Sequence, residues 1–79
     1  MSDLSPALRL RRMRVLRLLA GSKTSLTVSF IAARLGWSTP TVRTHLQGLL
    51  DAGAAVRVNY RRWGVPDGFS IRRFRADSL

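Results

Sequence analysis

The side chains best suited to chemistry in this sequence are hydroxyl, amide and guanidinium groups that recur between residues 38 and 47. At helical spacing they share one outward face, which carries Thr39, Thr41, Arg43, Thr44 and Gln47. Such groups hydrogen-bond to base edges and to phosphate oxygens. The sequence shows no paired carboxylates at useful spacing, no glycine-rich phosphate loop, and no histidine that has both a nucleophile and a plausible orienting group beside it, so no enzymatic activity is expected.

A metal or cofactor site is not expected either. His45 is the single histidine and cysteine is absent. A zinc site needs several ligands at defined spacing, and none accompanies His45, which favours a structural or backbone-contacting role. Disulfides are excluded, which fits a reducing compartment. No signal peptide is visible and no apolar run approaches the ~20 residues of a membrane span, so we expect a cytoplasmic, nucleoid-associated protein without membrane contact.

The charge balance points to a polyanionic partner. Fourteen basic residues, thirteen of them Arg, oppose four Asp and no Glu, and the net charge is +10 over 79 residues. A GC-rich coding sequence would explain Arg in place of Lys, but not the lack of acids. Nucleic acid is the expected partner. An anionic membrane or an acidic protein surface is the alternative.

Two helices joined by a tight turn are predicted to position the polar face. Thr27 is a favourable N-cap for a helix at about 28–35, and Gly36 suits its left-handed end. Ser38 is a favourable N-cap for a helix at about 39–52. Its inward stripe comprises Val42, Leu46, Leu49 and Leu50. Gly48 inside this helix costs ~1 kcal/mol relative to Ala, which a close approach by a neighbouring group would explain.

A third helix and a β-hairpin complete the predicted elements. Helix one covers about 7–20, with an inward stripe of Leu8, Val15, Leu16 and Leu19. After Gly53 the apolar period changes from helical to alternating, which predicts a strand through Val56, Val58 and Tyr60. Residues 62–68 are expected to form the loop, and a return strand is expected from Phe69 to about Phe74. Phe30, early in helix two, either packs against a neighbouring element or is exposed as a partner contact.

The order helix, helix, turn, helix, hairpin resembles the winged helix-turn-helix domains of ArsR/MarR-type bacterial and archaeal transcriptional regulators. The likeness rests on four stretches, namely residues 12–19, residues 26–36, the run STPTVRTHLQGL at 38–49, and DAGAAV at 51–56. The resemblance implies an α+β, mainly α fold. It consists of three helices plus a two-stranded antiparallel hairpin wing, in a single domain over residues 1–79, with the wing at about 55–74.

The resemblance also implies which side chains meet DNA. The recognition helix of such domains enters the major groove, which assigns base-edge or phosphate contact to Ser38, Thr39, Thr41, Arg43, Thr44 and Gln47. The wing reaches the adjacent minor groove or the backbone, which assigns those contacts to Arg61, Arg62 and Arg72. Members of the class usually dimerise through extra terminal helices, and this sequence stops just after the wing. A monomer, a homodimer and DNA-assisted assembly are all open.

Three functions are therefore compatible with the sequence. A sequence-specific transcriptional regulator would use the polar face for base readout. An architectural or recombination-accessory DNA-binding protein would use the same residues with little base readout. A winged-helix protein-interaction module would need no such charge, and fold alone does not exclude it.

Overall fold

Three α-helices and three short strands make up residues 5–74, the part of the chain that the computed structural model describes. They run in the order α1 (Pro6–Ala20), β1 (Leu26–Thr27), α2 (Val28–Leu35), α3 (Thr39–Asp51), β2 (Val56–Arg57) and β3 (Arg62–Gly64). The sheet is antiparallel and the fold is mainly helical. The predicted fold class, a winged helix-turn-helix, is confirmed.

Local hydrogen bonds fix where α2 and α3 begin and how α2 ends. The Thr27 hydroxyl accepts a bond from the backbone N–H of Phe30 at 3.1 Å, and the Ser38 hydroxyl accepts one from Thr41 at 3.4 Å. Each bond satisfies an amide that has no partner within its own helix. Gly36 ends α2 with φ of 74°, a left-handed backbone that favours glycine. The turn between the two helices is therefore encoded by Gly36, which ends α2, and Ser38, which begins α3.

The apolar core lies where the three helices and the sheet meet. Its buried members are Val15, Leu16, Leu19, Leu26, Ile31, Ala32, Val42, Leu46, Leu49, Ala54, Ala55 and Trp63. Helix α3 packs against both α1 and α2, so its apolar stripe is covered from two sides. Leu8, which the sequence analysis placed in the inward stripe of α1, is 37% exposed. That placement is wrong, because the first turn of α1 lies outside the buried part of the stripe.

The sheet has the strand order β1-β3-β2, with β3 in the centre. Leu26 pairs with Trp63, and Trp63 pairs on its other side with Arg57. The sequence analysis anticipated the hairpin but not the third strand. Two residues before α2 are too few to show an alternating pattern, and only the pairing with β3 makes them a strand.

The hairpin turns earlier than the alternation predicts. Asn59 accepts hydrogen bonds at its side-chain oxygen from the backbone N–H groups of Arg61 and Arg62, at 2.9 and 3.1 Å. This side chain closes the turn over residues 58–61, so the predicted continuation of the strand through Val58 and Tyr60 is wrong. The predicted loop at 62–64 is instead the return strand, which places Trp63 in the core rather than at the tip.

The residues after β3 form turns rather than the predicted return strand. The Pro66-Asp67-Gly68 turn does form, with the Phe69 N–H donating to the Pro66 carbonyl at 3.0 Å. Phe69, Ile71 and Phe74 then pack against the core while partly exposed. The predicted strand from Phe69 to Phe74 is therefore wrong. The alternating apolar residues of this segment are instead turn residues whose side chains pack against the core.

Gly48 has a close neighbour that explains it. A Cβ built there would lie 2.6 Å from both terminal nitrogens of Arg12. The guanidinium of Arg12 thus lies directly over the α3 backbone, in space that any larger residue at position 48 would occupy. Glycine therefore suits position 48, because the Arg12 side chain of α1 occupies the space where a larger side chain would lie.

Candidate nucleic-acid interface

The outward surface of α3 is narrower than its polar residues suggest. Arg43, Thr44 and Gln47 are exposed, whereas Thr39 and Thr41 are only partly exposed at the edges of the strip. Ser38 precedes the helix and is exposed. The side chains that project furthest from the core are therefore those of the middle of the helix.

Three polar side chains at this helix, those of Ser38, Thr44 and Gln47, donate hydrogen bonds to groups of the same segment. Ser38 Oγ donates to Thr41 Oγ1 at 2.8 Å, and Thr44 Oγ1 donates to the carbonyl of Pro40 at 3.0 Å. Gln47 Nε2 donates to Asp51 Oδ1 at 3.1 Å. Each hydroxyl still has lone pairs to offer, so these side chains are held in defined directions as acceptors. The guanidinium of Arg43 is exposed and makes no intramolecular hydrogen bond among the described residues.

An open cavity of about 750 Å³ separates α3 from the wing. Its lining consists of Thr27, Val28, Ser29, Arg43, Gln47, Arg57, Tyr60, Arg61 and Trp63. Three guanidinium groups, from Arg43 on α3 and from Arg57 and Arg61 on the wing, thus face one space. Among the residues that the structure describes, no carboxylate lines it, so the cavity attracts anions. We call it the arginine groove.

The wing side of the arginine groove is stiffened by arginine–aromatic contacts. Arg57 lies over the Trp63 ring with its Cζ 5.6 Å from the ring centroid, and it donates to the carbonyl of Tyr60 at 3.2 Å. Arg61 lies over the Tyr60 ring at 5.3 Å. Such contacts contribute about 0.5–1 kcal/mol each at exposed sites. Arg57 therefore positions the turn that carries Tyr60 and Arg61.

Arg57 and Tyr60 were not among the site residues predicted from sequence. The signal was present, because Tyr60 and Trp63 lie among three arginines in residues 57–63. Its meaning depends on where the hairpin turns, which Asn59 decides.

Arg62 and Arg72 lie elsewhere on the surface. Arg62 Nη1 donates to the carbonyl of Ser25 at 2.8 Å, which ties β3 to the residue before β1. Neighbouring residues of a strand point to opposite faces, so Arg62 projects away from the side that carries Trp63. Arg72 is exposed in the turns after β3. Of the three wing arginines predicted from sequence, only Arg61 lines the arginine groove.

Comparison with models of known protein families identifies the family of this domain. The model of the IclR helix-turn-helix domain matches residues 10–58, which include all of α2 and α3. The chain belongs to the IclR helix-turn-helix family. The domain is thus a DNA-binding domain of the transcription-regulator class, with double-stranded DNA as its partner. The match supports the expectation from sequence that the chain belongs to a winged helix-turn-helix regulator family. The matching family is the IclR type and not the expected ArsR/MarR type. Searches of curated proteins and of solved structures gave no match to this chain.

His45 of this IclR-type domain faces inward, on the side of α3 opposite the interface. It is 3% exposed, and its ring centroid lies 5.6 Å from that of Trp37. Burial lowers the pKa of His45 below 6.5, and the positive charges of Arg12 and Arg11 lower it further. Within residues 5–74 no group of three or more potential metal ligands occurs. The imidazole is thus buried on the inner side of α3, where it packs against Trp37.

No helix within residues 5–74 of the IclR-type domain is long and apolar enough to span a membrane.

Proposed function

We propose that this IclR-type domain is a sequence-specific transcriptional regulator that reads the major groove with α3 and holds the neighbouring strand with its wing. The arginine groove carries the proposal. A phosphate backbone separates the major groove from the minor groove, so a helix in one and a wing in the other enclose that backbone between them. Three guanidiniums facing one space match a run of phosphates.

Within this geometry, base reading falls to the exposed strip of α3. Arg43 can form the bidentate contact to guanine O6 and N7, and Gln47 the corresponding contact to adenine. Thr44 lies on the same strip. Ser38, Thr39 and Thr41 lie at or near the N-terminus of α3, where backbone N–H groups and the helix dipole favour phosphate. We assign these three residues to the sugar–phosphate backbone.

The wing arginines divide by position. Arg61 stands at the turn beside Tyr60 and is assigned to the minor groove or to a phosphate in the arginine groove. Arg62 can reach phosphate only with the N–H groups that its bond to Ser25 leaves free. Arg72, beyond the hairpin, is assigned to a flanking phosphate. In this role the protein would act at the nucleoid, in the cytoplasm.

Selection of bound duplexes from a random library tests the proposal, followed by binding titrations at fixed salt. A specific regulator should bind its selected duplex at least about 10³-fold tighter than a scrambled duplex. Arg43→Gln should weaken specific binding by about 5- to 150-fold, because a bidentate base contact is worth roughly 1–3 kcal/mol of discrimination. Arg34→Gln, the same charge change on α2 outside the arginine groove, is the matched control. Equal affinity for selected and scrambled duplexes would refute sequence-specific regulation.

The same titrations separate the other functions. An architectural or recombination-accessory protein would bend DNA and bind scrambled duplexes nearly as well. A protein-interaction module would show almost no dependence of binding on salt. The footprint length reports assembly, because one domain covers one half-site and a homodimer or side-by-side pair covers two.

A further inference from the structure

A second groove lies between the C-terminal end of α1 and the outer side of α2. It has a volume of about 280 Å³. Leu18 and Leu26 form its interior, the exposed ring of Phe30 forms one wall, and Arg17 and Arg34 stand at its edges. We call it the Phe30 groove. It is apolar inside and positively charged outside.

The Phe30 groove does not belong to the DNA interface. Ser29 of α2 lines the arginine groove, whereas Phe30 and Arg34 line the Phe30 groove. Successive helical residues differ by about 100° in direction and residues four apart share a face. The two grooves therefore lie on different flanks of α2, and both can be occupied at once.

Phe30 is poorly explained by folding alone. Its side chain is 49% exposed, although the apolar stripe of α2 is already supplied by Ile31 and Ala32. Arg17 and Arg34 do have a local reason, because each sits in the last turn of its helix, where the dipole favours cations. That reason does not account for the half-exposed aromatic ring that lies with them in the same groove. Aromatic and arginine side chains around a small apolar pocket are typical of the centre of a protein interface.

The charges decide what fits the Phe30 groove. A second copy is disfavoured, since a two-fold contact would bring four guanidiniums together on chains of net charge +10. A cofactor is disfavoured by size, because such pockets usually measure about 300–1,000 Å³. DNA would not cover the leucines. Charge complementarity selects an acidic segment with a bulky apolar side chain.

We propose that the Phe30 groove docks an acidic segment of another protein, with an aromatic or leucine side chain against Phe30 and carboxylates on Arg17 and Arg34. This gives the domain a partner-binding surface that stays open while DNA is bound. The surface could thus connect a bound DNA site to another protein.

The test uses the full chain saturated with its duplex, so that the arginine groove is occupied. The probe is a labelled peptide with aspartates flanking a central Phe-Leu pair, and binding is followed by fluorescence anisotropy. The control peptide has Ser-Ser in place of Phe-Leu. We expect the Phe-Leu peptide to bind at least about tenfold tighter than the Ser-Ser peptide, which is a modest requirement for burying two apolar side chains.

Variants locate the contact. Phe30→Ala and Arg34→Gln should each weaken peptide binding by about fivefold or more, as expected for anchor residues. Arg43→Gln, tested at a duplex concentration that keeps it saturated, should leave peptide binding unchanged. Because Phe30 is half exposed, its truncation should preserve the fold, which amide NMR spectra of each variant check.

The NMR spectra also show where the peptide binds. Shifts confined to residues around Leu18, Ser22 and Phe30 would support the proposal. Equal binding of both peptides, shifts at Arg43 and Arg61, displacement of the peptide by duplex, or self-association of the free chain through Phe30 would each overturn it. DNA affinity measured on the same variants is independent of this outcome, so the DNA-binding proposal stands or fails separately.

Discussion

Replacing Gly48 by alanine, alone and together with Arg12→Ala, is the most informative perturbation of the helical body. Glycine in a helix interior costs about 1 kcal/mol relative to alanine, so Gly48→Ala alone should stabilise α3 by that amount. The structure opposes this gain, because the new Cβ would lie 2.6 Å from both terminal nitrogens of Arg12. One of the two groups must move.

Arg12 is the group that moves, because its guanidinium ends a flexible side chain. Its Nε is buried and has no hydrogen-bond partner, so displacement into water restores solvation to that nitrogen. The remaining cost is lost packing against α3, which we place at the low end of coupling energies for contacting residues, about 0.5 kcal/mol. Gly48→Ala should therefore raise the free energy of unfolding by about 0.5 kcal/mol in the native background and about 1 kcal/mol beside Arg12→Ala.

Thermal and urea unfolding of the four proteins measures this difference. For a domain of this size, 1 kcal/mol corresponds to roughly 4–8 °C in Tm. We therefore expect Gly48→Ala to raise Tm by roughly 2–4 °C in the native background and by roughly 4–8 °C beside Arg12→Ala. Equal increments would show that Arg12 does not occupy the space over Gly48. A loss of stability in both backgrounds would show that a rigid group, not Arg12, lies there.

Three further perturbations test the interface, the buried histidine and the core. Arg61→Ala should lower the slope of log K against log salt by about one if Arg61 meets a phosphate, and an unchanged slope would remove that assignment. Native stability should be highest above pH 6.5 and should fall as pH drops from 6.5 through the lower folded-state pKa of His45, because the unfolded chain then binds the proton more readily. In urea titrations between pH 7.5 and pH 5, about the range in which histidine titrates, His45→Gln should remove most of this decline, and an undiminished decline would assign it to other groups. Leu46→Ala, at a fully buried position, should cost about 2–5 kcal/mol in denaturant unfolding, and a loss below 1 kcal/mol would contradict its place in the core.

The helices could be predicted because their determinants are local. Thr27, Gly36 and Ser38 each act within a few residues, through caps and a left-handed turn. The apolar period of α3 likewise identifies its outward strip, including Arg43 and Gln47. Such signals are complete in the sequence and need no knowledge of distant contacts.

The sheet and the wing could not be predicted in detail because their determinants are distant or lie in one side chain. Leu26 becomes part of a strand only through Trp63, far along the chain. Asn59 turns the hairpin by side-chain bonds that an alternating pattern does not reveal. From sequence, Arg62 is predicted to contact phosphate, but the structure shows that its guanidinium also donates to the carbonyl of Ser25. The outward strip of α3 was therefore readable from sequence, but the sharing of one groove by Arg43, Arg57 and Arg61 was not.

The central place of β3 has a consequence for how the domain is made. Within residues 5–74, both outer strands pair only with β3, which is the last of the three to be synthesised. Until Gly64 has been synthesised, Leu26 and Val56 lack their partners and the core lacks the Trp63 ring. The helices can meet earlier, because their contacts lie within residues 6–51. A nascent chain would thus contain α3 before the wing side of the arginine groove has formed.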